Sequence, residues 1–241
     1  PAVTELSARE FAVKECEVSL SAVWQDLDVL WVNHPRAIMY ATRKPHQLKT
    51  AKKLGFNIPA TILSNDPKAI KDFWLSQNKL VVFKTLHQDA IEIDGVNFFA
   101  YASLLKAHHL NNIQSIAISP SLFQQYIKPK LELRVTVIGE KVFAAAIDSK
   151  SAEVKTDWRR ITPDKQKWFV FNLPKELEEK CIALVEGYNL EFGAIDLIIT
   201  EDDDVYFLEL NANGQWVWIE LITGLEMSKA MIELLSSENF S

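Results

Sequence analysis

The chain has 241 residues, 48% of them apolar and 24% charged, which suffices for the core of one large domain or two small ones. Its net charge of −6 argues against the basic field that general nucleic-acid or anionic-membrane binding needs, and no apolar run approaches the ~20 residues of a membrane span. The two cysteines, Cys16 and Cys181, suggest neither a disulfide framework nor a zinc site, so a reducing cytoplasm is the expected compartment.

In chain order, residues 1–30 space Phe11, Val13, Val18, Leu20, Val23 and Leu27 as in an amphipathic helix following a Thr4 or Ser7 cap. The opening on Pro rather than Met suggests a fragment, and this helix is expected to lead in from a preceding segment. Trp31 to Pro35 reads as extended, because a residue before proline is pushed away from helical angles. Lys44 heads a helix carrying Leu48, Ala51 and Leu54 that Gly55 stops, and Asp66 caps another with Pro67 first and Ile70, Phe73 and Trp74 on one face.

Leu80 to Thr85 reads as a buried strand. Lys84 near its end either needs an anionic partner or snorkels to water. Residues 86–98 read as a loop around Asp94-Gly95, and Ser103 to His109 as helical, with His108 and His109 on the surface. Leu122 to Ile127 is a short strand, and Lys128-Pro129-Lys130 after it reads as a hinge. Leu131–Ile138 and Lys141–Asp148 flank the Gly139-Glu140 turn of a hairpin. Alternation puts Leu131, Leu133, Val135 and Val137 on one face and Glu132, Arg134 and Thr136 on the other, where Glu132 and Arg134 either pair with each other or bind a ligand. Asp148 to Lys167 is a polar loop whose Arg159 and Arg160, beside Trp158, can clamp a phosphate or carboxylate bidentately. Leu177, Cys181, Leu184 and Val185 repeat at helical spacing up to Gly187, which makes Cys181 a core residue, and a last helix spans about Ser228 to Leu235.

Between these helices, Gly193–Thr200 and Val205 onward form a second hairpin. If Thr200 pairs with Val205, Asp196 lies opposite Glu209, while Glu209 and Asn211 project from one strand face. Opposed carboxylates destabilise a sheet unless something positive sits between them. Mg²⁺ takes one or two protein carboxylates and completes its shell with waters and phosphates, so the pair points to a nucleotide site. Scattered acids on a solvated hairpin are the alternative, and Asp202 to Asp204 are read that way.

The order Lys44, Lys84, Gln125 to Lys128, Glu132-Leu-Arg134, Asp196 and Glu209-Leu-Asn211 resembles that of ATP-grasp ligases. Glu-Leu-Arg-Val-Thr-Val-Ile-Gly at 132–139, Asp-Trp-Arg-Arg at 157–160 and Leu-Glu-Leu-Asn-Ala-Asn-Gly-Gln-Trp-Val-Trp-Ile-Glu at 208–220 are most similar to the graspetide synthetases, the microviridin-type peptide ligases related to the RimK-like branch. The resemblance covers about residues 31–236 and implies an α+β ATP-grasp fold, with two subdomains whose antiparallel sheets clamp ATP. Residues 1–43 are then a remnant of an amino-terminal domain with its linker, 44–128 the first ATP-grasp subdomain, and 129–241 the second.

By the same resemblance Lys44 and Lys84 hold phosphates, Gln125, Tyr126 and Ile127 meet adenine, and Glu132 binds ribose. Asp196, Glu209 and Asn211 hold Mg²⁺, and Arg134 with Arg159 or Arg160 faces the γ-phosphate and an acyl phosphate. The implied reaction activates an Asp or Glu of a precursor peptide bearing a leader segment and forms an ester or amide crosslink. A homodimer is left open, and neither nucleic acid nor membrane is an expected partner. Two positions depart from the family: most of its amino-terminal domain is missing before residue 31, and Gln125 stands where many ATP-grasp enzymes have an acid. The alternatives are a RimK-like ligase acting on free amino acids or a protein tail, and a non-catalytic module that binds nucleotide and peptide.

Overall fold

A computed structural model of the chain describes residues 3–86, 90–93, 96–99, 102–148 and 167–237. The elements run α1 (Leu6–Gln25), α2 (Pro35–Ala41), α3 (Lys44–Lys53), β1 (Thr61–Ser64), α4 (Pro67–Ser76), β2 (Val81–Lys84), β3 (Ala90–Ile93), β4 (Val96–Phe99), β5 (Ser103–Leu104), a 3₁₀ helix (Ala107–Ile118), β6 (Ser121–Gln125), β7 (Leu131–Ile138), β8 (Lys141–Asp148), β9 (Trp168–Val170), α5 (Lys175–Glu186), β10 (Phe192–Ile199), β11 (Val205–Asn211), α6 (Val217–Thr223) and α7 (Met227–Leu235). They build a four-stranded sheet in the order β1-β6-β2-β5, a five-stranded sheet in the order β11-β10-β7-β8-β9, and the hairpin β3-β4. Every pairing within these sheets is antiparallel, the α+β arrangement that the resemblance implied.

The small sheet packs on α4. The Asp66 carboxylate accepts from the Lys68 N–H at 2.9 Å, Pro67 opens the helix, and Ile70 and Trp74 are buried with Val81, Leu105 and Phe123. Two sequence expectations fail here. Residues 86–98, read as a loop, include the paired strands β3 and β4; an Asp-Gly dipeptide between two short β-prone segments is a hairpin signal. Ser103 to His109, read as helical, instead begins as β5, because Ser103 and Leu104 pair with Phe83 and Val82 and the Leu105 carbonyl takes the Trp74 indole N–H at 2.9 Å. Only the following Ala107–Ile118 is helical, as 3₁₀ turns, with His108 and His109 exposed.

The large sheet is covered on both faces, and strand alternation decides what goes where. Leu133, Val135 and Val137 of β7, with Ile195 and Leu197 of β10, face α3 and α5 through Leu48, Ala51, Leu177, Cys181 and Leu184. The alternate residues Ile138, Ala145, Phe192 and Ala194 face α6 and α7 through Ile219, Met227 and Ala230. Burial, with the Glu178 charge adding, pushes the Cys181 thiol up to about 12, as befits the core residue expected there.

The helix predicted over residues 1–30 exists as α1, but none of its residues is buried, and Glu5 rather than Thr4 or Ser7 stands at its cap. Its apolar residues do not make one stripe: Phe11 and Val18 point away from Leu6, Val13 and Leu20. Residues 31–34, expected to be extended, turn at 32–33, and His34 keeps the extended angles forced by Pro35. The turn serves Asn33. Its buried carboxamide donates to the Phe192 and Ala212 carbonyls, each at 2.7 Å, and accepts from the Glu191 and Phe192 N–H groups at 2.7 and 2.9 Å. Asn33→Ala should lower unfolding free energy in urea by roughly 1–3 kcal/mol, since these buried backbone groups lose their partners. An unchanged midpoint would mean that they find others.

Candidate active site

Three neighbouring strands put three charged side chains in one row. Asp196 in the middle of β10 lies opposite Arg134 of β7 on one side and Glu209 of β11 on the other. The Asp196–Glu209 pairing is the one expected from sequence, but it is reached by a different register. Next to the turn Ile199, not Thr200, pairs with Val205, and a β-bulge follows between Leu197 and Asp196, leaving Leu208 as the extra residue. Phe207 and Leu210 consequently both face the core, while Glu209 and Asn211 share the face of Asp196.

Arg134 is the least exposed member, at 7%, and donates from Nη1 to Asp196 Oδ1 at 2.8 Å and from Nη2 to the Gln215 carbonyl at 3.3 Å. Lys44, the first residue of α3, reaches in from the side, its Nζ 3.1 Å from Glu209 Oε2. The Asn211 amide bridges the two carboxylates, 3.4 Å from Asp196 Oδ2 and 3.3 Å from Glu209 Oε1. Protein cations and a carboxamide thus supply the positive charge that the opposed carboxylates demand. Arg134 contacts Asp196, rather than the neighbouring Glu132 considered from strand alternation.

Beyond the strand, residues 212–216 fold over the row. A Cβ on Gly214 would lie 2.5 Å from Arg134 Nη2 and 2.7 Å from the Ala194 Cβ, so only glycine lets the backbone pass and bring the Gln215 carbonyl to the guanidinium. Sequence reading assigned neither residue a role. The signal was the glycine three residues after the strand, which marks a close backbone approach.

Lys84, Gln125, Tyr126 and Ile127 belong to the small sheet and its exit. Lys84 ends β2, half-buried and opposite Leu122. Gln125 is tied to Ala60 twice, its N–H donating to the Ala60 carbonyl at 2.8 Å and its Oε1 accepting the Ala60 N–H at 3.3 Å. The Tyr126 N–H donates to the Leu80 carbonyl at 2.9 Å, and Ile127 is buried. Burial first, and the Glu132 carboxylate second, raise the Tyr126 phenol above its usual range, so Glu132 stands close to Tyr126. Lys130 then ties the segment after Ile127 to the large sheet, its N–H donating to the Ile199 carbonyl at 2.8 Å. Arg159 and Arg160 lie outside the described residues.

The donor set suits Mg²⁺ better than a transition metal. Among the described residues no three His, Cys, Asp or Glu side chains cluster as a metal site, which leaves two carboxylates and the Asn211 carboxamide, whose Nδ2 faces both of them and whose oxygen would meet an ion once the amide turns over. Such hard oxygen ligands fit an ion that shares its shell with phosphates. Arg134 Nε is buried without a hydrogen-bond partner among the described residues, a donor to which an anionic oxygen can add.

Comparison with known proteins gives a consistent answer. A family model described as the RimK-like ATP-grasp domain matches residues 41–235. The macrocyclase MdnC from Microcystis aeruginosa MRC, solved with its precursor peptide MdnA, is 31% identical at a TM-score of 0.84, over 98% of this chain and 72% of that one. A RiPP-associated ATP-grasp ligase of Chryseobacterium gregarium, solved with ADP and a leader and core peptide, is 33% identical at a TM-score of 0.87, over 96% and 70%. The macrocyclase MdnB from Microcystis aeruginosa MRC is 28% identical at a TM-score of 0.79, over 98% and 73%. No curated sequence matches the chain.

Gly214→Ala should push the guanidinium off Asp196 and reduce ATP turnover by about 10- to 100-fold, the scale on which small misplacements act. ADP release beside a melting curve checks this, and parent-like turnover in the folded variant would show that the close approach is dispensable.

Proposed function

The chain belongs to the RimK-like ATP-grasp family, and we propose that it is an ADP-forming ligase that crosslinks a ribosomally made precursor peptide, as in microviridin-type graspetide maturation. An Asp or Glu carboxylate of the peptide attacks the γ-phosphorus of ATP, ADP leaves, and an acyl phosphate forms. A Ser or Thr hydroxyl, or a Lys amine, then attacks the acyl carbon, phosphate leaves, and the proton released passes to solvent or phosphate. The peptide loses one water per ester or amide formed.

The observation that carries this reading is the row Arg134–Asp196–Glu209 with Lys44 and Asn211 converging on it, an arrangement of fixed charge around an anionic centre. Phosphoryl transfer asks a protein for positioning and charge neutralisation, which such a row provides without a nucleophilic triad. Asp196, Glu209 and Asn211 would hold Mg²⁺, which when bound neutralises phosphate charge. Arg134 orients the transferring phosphoryl group by its planar fork, with Arg159 and Arg160 as further clamps on the acyl phosphate. Lys44 and Lys84 bind phosphate oxygens. Gln125, Tyr126 and Ile127 meet adenine mainly through their backbone, which suits a Gln125 side chain already engaged with Ala60, and Glu132 takes the ribose hydroxyls.

On this reading residues 44–128 and 129–241 are the two ATP-grasp subdomains and 1–43 leads in, although α3, within the first range, packs on the sheet of the second. The partner is a precursor peptide with a leader segment, and the compartment is the cytoplasm. Among the described residues no helix is long and apolar enough to cross a membrane.

Mass spectrometry of candidate precursor peptides incubated with the protein, ATP and Mg²⁺ should show loss of water. Glu209→Gln should abolish both that loss and ADP release with an unchanged circular dichroism spectrum. ADP release without any peptide crosslink, and with free amino acids consumed instead, would move the chain to a different ligase of the family. Arg159→Ala and Arg160→Ala should each cut single-turnover crosslinking strongly while leaving ATP affinity near that of the parent, because a clamp on the transferring group acts mostly in the transition state. Equal losses of affinity and crosslinking would place these arginines in the nucleotide site.

A further inference from the structure

We infer that Gln47 is a positioning residue that sets the geometry of the Mg²⁺-binding strand by acting as a surrogate for a missing neighbour strand. The inference rests on the metal role proposed above for Asp196, Glu209 and Asn211.

Among the described strands β11 is the outermost of its sheet, paired with β10 on one side and met on the other by an isolated parallel bridge of Asn57 to Tyr206, so that edge presents backbone groups that need partners. Two residues from the segment before β1 supply them. The Asn57 carbonyl accepts the Phe207 N–H at 2.9 Å. Gln47, 2% exposed on α3, accepts the Leu210 N–H on Oε1 at 3.0 Å and donates from Nε2 to the Leu210 carbonyl at 2.8 Å, and also to the Ala41 carbonyl. Its carboxamide thus makes the two bonds that a paired peptide unit would make. Leu210 stands between Glu209 and Asn211, so gripping its N–H and carbonyl fixes the backbone from which both proposed ligands project.

The same helix face grips the strand a second time. Lys44 lies three residues before Gln47, a spacing that puts both on one side of α3, and its Nζ is 3.1 Å from Glu209. The helix is in turn anchored beyond the strand. His46 is hydrogen-bonded through one ring nitrogen to the Tyr40 hydroxyl at 2.9 Å and through the other to the buried Tyr188 hydroxyl at 2.7 Å, and that hydroxyl is 3.3 Å from Thr50 Oγ1. Gln47 therefore transmits a fixed helix position to a strand edge. An apolar side chain of the same size could fill the space but would leave the two Leu210 groups buried and unpaired, free to shift toward other partners.

The test is the gain in ADP affinity on adding Mg²⁺, measured by titration calorimetry, because a residue that merely fills the core has no reason to change it. In Gln47→Met that gain should shrink by about 10- to 100-fold, the usual effect of removing a group that orients metal ligands, with ADP affinity in EDTA near that of the parent. Gln47→Asn, one methylene too short to reach both Leu210 groups, carries the same expectation should Gln47→Met fail to fold. Asp196→Asn run alongside separates the two readings. A parent-like Mg²⁺ gain in the folded Gln47 variant, with a reduced gain in Asp196→Asn, overturns the positioning role and leaves the metal assignment standing. A parent-like gain in both overturns the metal assignment and the positioning role with it.

Discussion

Everything at the centre of this fold follows from placing Asp196 and Glu209 directly opposite each other on adjacent strands. At the roughly 5 Å of opposed positions, two carboxylates repel by about 3 kcal/mol in a medium of effective dielectric about 20, a large fraction of a domain's net stability. The chain could have avoided the conflict simply. If the register next to the turn continued unbroken, Asp196 would face Leu208 and Glu209 would turn to the opposite face of the sheet. The bulge at Leu208 shifts the pairing by one residue and restores the opposition, while still letting Phe207 and Leu210 point into the core. A feature that disrupts the ladder in order to bring two like charges together is a mark of a site, not of a strand optimised for stability.

Compensation comes from elements far apart in sequence, which makes the site a condition on the whole sheet. Arg134 arrives from β7, Lys44 from α3, and the Gln215 carbonyl that steadies Arg134 from the loop that Gly214 allows to pass. Arg134 at 7% exposure has lost most of its hydration, so its bond to Asp196 matters less as net stabilisation than as protection against a buried charge left alone. The sheet tolerates this polar row because its other face, packed on α3 and α5, is apolar along β7, β10 and β11.

What could be read from the sequence was whatever leaves a local or strictly periodic trace. The α3, α4 and α5 helices, the β7-β8 hairpin and the β10-β11 pair follow from caps, heptad-like spacing and two-residue alternation, and Asp196 was correctly set opposite Glu209. The bulge was not legible, since Leu208 is as apolar as Phe207 and Leu210 and nothing in composition separates the two registers. Ser103 and Leu104 carry no strand signal of their own and owe their conformation to β2. Asn33 and Gln47 are the clearest case: each bonds strand backbone more than a hundred residues away, a contact without sequence period, so nothing local marks these polar residues as buried. Motif resemblance points to the residues proposed to face the ligand but not to these supports, because the supports answer to the backbone rather than to the chemistry.

The charge balance of the row also fixes how its members can respond to a ligand. Two carboxylates and two cations pair within 3.1 Å, so no charge there is idle. On the proposed reading, Mg²⁺ and phosphates bring both signs at once, and the pairs can re-sort: carboxylates toward the metal, cations toward phosphate oxygens, with none left alone in a low-dielectric interior. The two cations are not equivalent in this exchange. Arg134 is held in the middle of a paired strand and clamped by a carbonyl, with a buried Nε that still lacks a partner among the described residues, so an oxygen has to come to it. Lys44, at 22% exposure on the first turn of α3, has a long flexible stem and can swing from Glu209 to follow a phosphate. On the proposed reading the fixed fork therefore sets where the transferring group sits, and the mobile ammonium adjusts to the charge that moves.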